Sequence, residues 1–139
     1  MPGQILNGWQ TAVVQRQCSH ANFMAMEVMR KSGLRVVYDL DDNFWNIPRY
    51  NPAIQWFGNK VALDWMGKCI NLANAITVST PVLKWVIEKK TRTKVPIFVI
   101  ENSIDFDLFA PVRKHRKKET VTIGWAGTAT HEIDYQHAF

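Results

Sequence analysis

Residues 75–87 read AITVSTPVLKWVI, and their order is that of a strand passing into a helix. Ile76, Thr77 and Val78 are β-branched and suit a pleated, buried strand. Thr80 can then cap a helix whose first position is Pro81, where the missing N–H does no harm, and Val82, Trp85 and Val86 give that helix its inward face. Outward from this unit the same alternation recurs. Upstream, Val61, Trp65, Cys69 and Leu72 form a helical stripe that feeds the strand, and downstream PIFVI (residues 96–100) is the next strand. Earlier still, TAVVQR (residues 11–16) reads as a short buried strand. Ser19 caps a helix carrying Phe23, Met26 and Met29 up to Gly33, and LRVVY (residues 34–38) follows as a strand. VTIGW (residues 121–125) predicts a fifth. Strands without strict alternation, separated by helices, imply an α/β fold: a doubly wound parallel sheet covered on both faces.

The chain has 139 residues, 47% hydrophobic and 12% aromatic, enough for one modest core and unlike a disordered or fibrous composition. No window approaches the roughly 18 apolar residues of a membrane span, and residues 1–10 lack the basic start and apolar stretch of a signal peptide, so the expectation is a cytoplasmic protein. Cys18 and Cys69 lack metal-ligand or CxxC spacing and read as reduced thiols. The net charge of +5 comes from one run, RKHRKK, from Arg113 to Lys118. It holds five of the 17 Lys and Arg and leaves 12 to balance 12 acidic residues elsewhere. A solvated linker is the expectation, with peripheral membrane contact as its functional alternative and no nucleic acid as partner.

In parallel sheets ligands bind beyond the carboxyl ends of the strands. DLDDN (residues 39–43), STP (79–81), ENSID (101–105) and AGTATH (126–131) each follow a strand directly, so the acids lie where a polar ligand would be held. An Asp in such a place also caps helices or makes Asx-turns, a role open to Asp39, Asp41 or Asp42. Trp45, Trp56, Trp65 and Trp85 read as packing groups, although Trp45 and Trp56 flank a Pro-containing loop that would expose them. His20, His115 and His137 have no evident partner, whereas His131 follows a small-residue turn.

VVYDLDDN (residues 36–43) resembles the first motif of haloacid-dehalogenase-type phosphatases. That resemblance implies a Mg²⁺-dependent hydrolase with Asp39 as nucleophile, Asp41 as general acid/base and Ser79 or Thr80 on the phosphate. Asn43 departs from the Thr or Val of that family. FVIENSIDFDLFAP (residues 98–111) resembles the segment that ends the N-terminal domain of GT-B glycosyltransferases of the family 4 type. Asn102, Ile104, Asp105, Phe109 and Pro111 match, and Glu101 and Ser103 replace the usual Pro and Gly. AITVSTPVLKWVI and VTIGWAGTATHEID (residues 121–134) are similar to the preceding strand and helix and to the opening of the C-terminal domain.

This second resemblance covers residues 36–134 and implies a Rossmann-like acceptor-side domain over residues 1–112, a basic linker over 113–120, and the truncated start of a donor domain over 121–139. It implies a metal-independent glycosyltransferase, here a partial chain. Its co-substrate would be a nucleotide-sugar, with no other cofactor, and its acceptor a glycan, lipid or protein. Gly124, Gly127, Thr128, Thr130 and His131 would approach the donor diphosphate. Asp39, Asp41, Asp42, Asn43 and Asn102 would accept hydrogen bonds from sugar hydroxyls without a metal. Arg16 would pair with these acids or bind an acceptor anion, pairing being the expectation. A non-catalytic sugar- or nucleotide-binding module is the alternative from a different class.

Overall fold

The computed structural model describes residues 8–109, together with residues 120, 124 and 127. By its internal contacts the chain divides into two units, Met1–Asn102 and Ser103–Phe139. The basic run and most of the fifth strand expected at residues 121–125 lie outside the described residues.

The first unit is α/β. Its elements run β1 (Thr11–Gln15), α1 (His20–Lys31), β2 (Arg35–Leu40), a 3-10 turn (Phe44–Asn46), α2 (Ile54–Phe57), α3 (Lys60–Leu72), β3 (Ala75–Val78), α4 (Pro81–Thr91) and β4 (Ile97–Val99). The strands form one all-parallel sheet in the order β1-β2-β3-β4.

Local signals set the helix ends. The Ser19 hydroxyl accepts from the Asn22 N–H at 3.1 Å, Asn59 Oδ1 from the Ala62 N–H at 2.9 Å and Thr80 Oγ1 from the Leu83 N–H at 3.1 Å. Each satisfies one of the donors that a helix start leaves unpaired. α1 ends in a Schellman motif: Gly33, at φ 88°, donates to the Arg30 carbonyl, and Leu34 donates to that of Met29. Only a residue that tolerates positive φ closes that pattern cheaply. An unusual side-chain clamp joins β2 to the start of β3. The Val36 N–H donates to Asn74 Oδ1 at 2.9 Å while the Asn74 N–H donates to the Val36 carbonyl at 2.8 Å.

The core lies between one face of the sheet and the helices. Val36, Tyr38 and Leu40 of β2 and Ile76 and Val78 of β3 are buried against Met26, Met66, Cys69, Ile70, Leu83 and Ile87. The Tyr38 hydroxyl, carried into this core, donates to the Gln17 carbonyl at 2.7 Å. Burial raises its pKa far above that of a free phenol and pushes the Cys69 thiol up to about 11. Both cysteines are free thiols, as their spacing predicts.

Several expectations are corrected by this arrangement. The α/β parallel sheet is as expected, and among the described residues its strand order is sequential, without the reversal of a doubly wound sheet. Right-handed crossovers that always step in one direction keep their helices on one face, and the helices pack on one another in succession, α1 on α3 and α3 on α4. The buried strand residues all belong to that face, and among the described residues no helix covers the other. β1 is an edge strand rather than a buried one, with Val13 68% exposed.

The stripe of α3 is Ala62, Met66, Cys69 and Ile70, about one residue round from the one read in the sequence. Val61 faces out, and half-buried Trp65 lies on the margin against His20 and Phe23, with ring centroids 4.9 and 5.7 Å away. On α4 the inward residues are Leu83, Val86 and Ile87, while Val82 and Trp85 are exposed. Among the tryptophans read as packing groups, Trp56 and Trp85 are solvent-facing and Trp45 packs against the core.

These faces predict an order of sensitivity. Ile87→Ala is expected to cost about 2–4 kcal/mol in denaturant unfolding, whereas Trp85→Ala should stay within about 0.5 kcal/mol. The reverse ranking would restore the helix face read from the sequence.

Candidate functional site

The polar groups at the carboxyl ends of the strands separate into two sets. Asp39 lies within β2, in register with Gln15 of β1 and Thr77 of β3. Its Oδ2 accepts from Gln15 Nε2 at 2.9 Å and its Oδ1 from the Thr77 hydroxyl at 2.6 Å. Both oxygens are therefore engaged across three strands, on the face opposite the described helices.

The second set begins at Arg16. Its backbone N–H extends the ladder to the Asp39 carbonyl, and its φ of 56° then turns the chain into the left-handed region. From there the guanidinium forks onto Asp41, Nε to Oδ1 at 2.9 Å and Nη2 to Oδ2 at 2.6 Å. Nη2 also lies 3.1 Å from Asp42, and the guanidinium carbon sits 5.8 Å from the centre of the Phe44 ring, within cation–π range. The hydrogen bond from Arg16 holds the Asp41 carboxyl below the usual carboxylate range against partial burial, and the same bond raises the guanidinium further. Ser79 donates to the Asp41 carbonyl at 3.1 Å, which ties the start of α4 to the acidic loop. Arg16 contacts two carboxylates here, Asp41 and Asp42, so this set carries a net negative charge, and Asp42 has its side chain 63% exposed.

Of the residues expected at a site, the structure brings Arg16, Asp41 and Asp42 together and sets Asp39 beside them on the sheet. Arg16 takes the charge-pairing role. The capping role thought open to an aspartate falls instead to Asn43, whose Oδ1 accepts from the Trp45 N–H at 3.2 Å. Asn102 is exposed and makes no hydrogen bond among the described residues. Gly124 and Gly127 are exposed, and Thr128, Thr130 and His131 lie outside the described residues.

The segment that carries the glycosyltransferase resemblance leaves β4 and, in the second unit, closes one turn. Asp105 Oδ1 accepts from the Asp107 and Leu108 N–H groups at 2.9 and 3.3 Å. Phe106, Leu108 and Phe109 are exposed around it.

Reading the sequence residue by residue misses Gln15, Thr77 and Phe44. The first two were accessible through strand parity, since positions two apart share a face; Phe44 carried no comparable signal. A groove of about 510 Å³ on the helical layer is lined in part by Phe23, Leu63, Gly67 and Lys68, and no member of the Arg16 cluster lines it. Among the described residues no group of three or more His, Cys, Asp or Glu is arranged to hold a metal ion, and no helix is long and apolar enough to cross a membrane. No family model, curated protein or solved structure matches the chain.

Chemically, the cluster offers carboxylate acceptors and one oriented guanidinium, the equipment for holding hydroxyls. In the phosphatase reading Asp39 would attack and Asp41 would move a proton, each giving up a hydrogen bond to do so. Asp39 is occupied by Gln15 and Thr77, and Asp41 by Arg16.

The fork is a half-buried, bidentate ion pair, worth about 1 kcal/mol at the upper end of the surface-pair range, and the left-handed backbone of Arg16 costs roughly 1–2 kcal/mol. Arg16→Gly removes both at once and should change stability by less than about 1 kcal/mol. The folded pKa of Asp41 is depressed, so the stability it adds is complete above about pH 4 and is lost as pH falls through the folded value. The difference in urea midpoint between wild type and Asp41→Asn is therefore expected to be level near neutrality and to close in acid. A difference that persists in strong acid would assign Asp41 a role other than its ion pair.

Proposed function

We propose that the chain is the acceptor-side part of a GT-B-type glycosyltransferase and that Arg16, Asp41 and Asp42 form a metal-independent rim that holds a polyhydroxylated acceptor. The observation that carries this reading is Arg16: a non-glycine residue in the left-handed region at a strand tip, aimed at two carboxylates. Left-handed backbone at a non-glycine residue costs roughly 1–2 kcal/mol, and strain of this kind clusters at functional sites. The sequence FVIENSIDFDLFAP supplies the link to the transferase family, and the all-parallel sheet is compatible with it.

On this reading Asp42 accepts from acceptor hydroxyls on its exposed side. Arg16 fixes Asp41 so that the loop keeps its shape, and donates from any N–H left free by the fork. The donor would be met by the small-residue turn around Gly124 and Gly127, with Thr128, Thr130 and His131. No catalytic residue is assigned.

The test separates binding from turnover. Purified chain mixed with a panel of nucleotide-sugars is expected to release no nucleoside diphosphate. A panel of free glycosides screened by saturation-transfer NMR should give contacts that weaken severalfold in Asp42→Asn and disappear in Arg16→Gly, with circular dichroism unchanged. Glycoside contacts indifferent to both substitutions would defeat the assignment of the rim. Metal-dependent cleavage of a phosphate monoester, abolished by Asp39→Asn, would replace it with the phosphatase.

A further inference from the structure

Parallel sheets are ordinarily buried on both faces, and this one presents a second face that no helix covers among the described residues. Val13, Val37 and Ala75 form a continuous row across three strands of that face, with Val13 68% exposed. On β2 the row is flanked by opposite charges: Arg35 lies two residues before Val37 and Asp39 two residues after, all three on the same face. Arg35 is exposed and has no ion-pair partner among the described residues. Asp39 has a donor on each oxygen from within its own sheet, which is the condition for burying a carboxylate.

This pattern is self-complementary in one orientation only. We propose that the open face packs against the same face of a second copy of the chain, about a two-fold axis that runs along the Val13–Val37–Ala75 row between the two sheets. Strands of the two copies then run antiparallel. Val37 meets Val37 at the centre, and Arg35 of each copy faces Asp39 of the other. On β1, in register with these, Thr11 faces Gln15. A two-fold axis along the strands would instead set Arg35 on Arg35 and Asp39 on Asp39, which like-charge repulsion opposes. Aligned sheets pack about 10 Å apart through interdigitating side chains, and the same symmetry sets Ala75 of one copy opposite Ala75 of the other. The strand tips of the two copies point away from each other, so the Arg16 cluster stays open to solvent, and the dimer stands independently of what that cluster binds.

Sedimentation equilibrium of the full 139-residue chain tests this. The wild type is expected to associate reversibly from a 16.0 kDa monomer to twice that mass. Arg35→Asp and Asp39→Arg should each weaken association by about tenfold or more. An equimolar mixture of the two should recover it, because both cross-copy pairs then become Asp with Arg. Val37→Lys leaves every hydrogen bond of Asp39 in place, and should fold by circular dichroism yet remain monomeric, which keeps the test decisive even if Asp39→Arg does not fold. A wild type that stays monomeric at all concentrations would overturn the proposal and leave the face to a different partner. So would a dimer indifferent to Arg35→Asp and Val37→Lys, and a mixture of folded charge variants that fails to associate would overturn the antiparallel geometry.

Discussion

A right-handed crossover that steps always to the next strand in the same direction stacks its helices on a single face, and that handedness organises everything else in this unit. It makes Val36, Tyr38 and Leu40 the inward set of β2 and leaves Arg35, Val37 and Asp39 on the other side. It brings α1 onto α3 and α3 onto α4, so Met26, Met66, Cys69, Ile70, Leu83 and Ile87 meet in one core. It also delivers every strand end to one rim, where the chain must turn toward the helical layer. The acids at that rim are there because β2 is central and its tip is reached from both sides, by Arg16 after β1 and by Ser79 after β3.

The rim and the core obey different economies. In the core every polar atom is matched: the Tyr38 hydroxyl finds the Gln17 carbonyl, and no buried side-chain N or O atom is left without a partner among the described residues. At the rim the charges do not balance, and the strongest contact there, the fork from Arg16 to Asp41, is held by a backbone conformation that works against folding. Such an imbalance is tolerated where water is available to solvate the unpaired charge.

Much of the fold was legible because its signals are local. Ser19, Thr80 with Pro81, and Gly33 each announce a helix end through chemistry confined to a few residues, and β-branched runs mark β2 and β3. What misled was size. Trp65 and Trp85 dominate any apolar stripe drawn by eye, but a tryptophan is amphipathic and can sit at a boundary. The true stripes use the smaller Ala62, Met66, Leu83 and Ile87. The sequential strand order was not legible either, since it depends on which strands pair and no local pattern reports it. The site was half legible. Its acids and Arg16 stand out in the sequence, yet the division of labour among them, Asp39 to the sheet, Asp41 to the fork and Asn43 to the cap, depends on strand parity and on the turn at Arg16.

The left-handed turn at Arg16 also ends the edge of the sheet. β1 offers its outer row of backbone N–H and C=O groups to any passing extended chain, and within its five residues, TAVVQ, no charge interrupts that invitation. The turn cuts the template short, and a guanidinium stands directly beyond it. At the opposite margin β4 is only three residues long. A sharp turn at one margin and a three-residue strand at the other each shorten the template that a further strand could pair with.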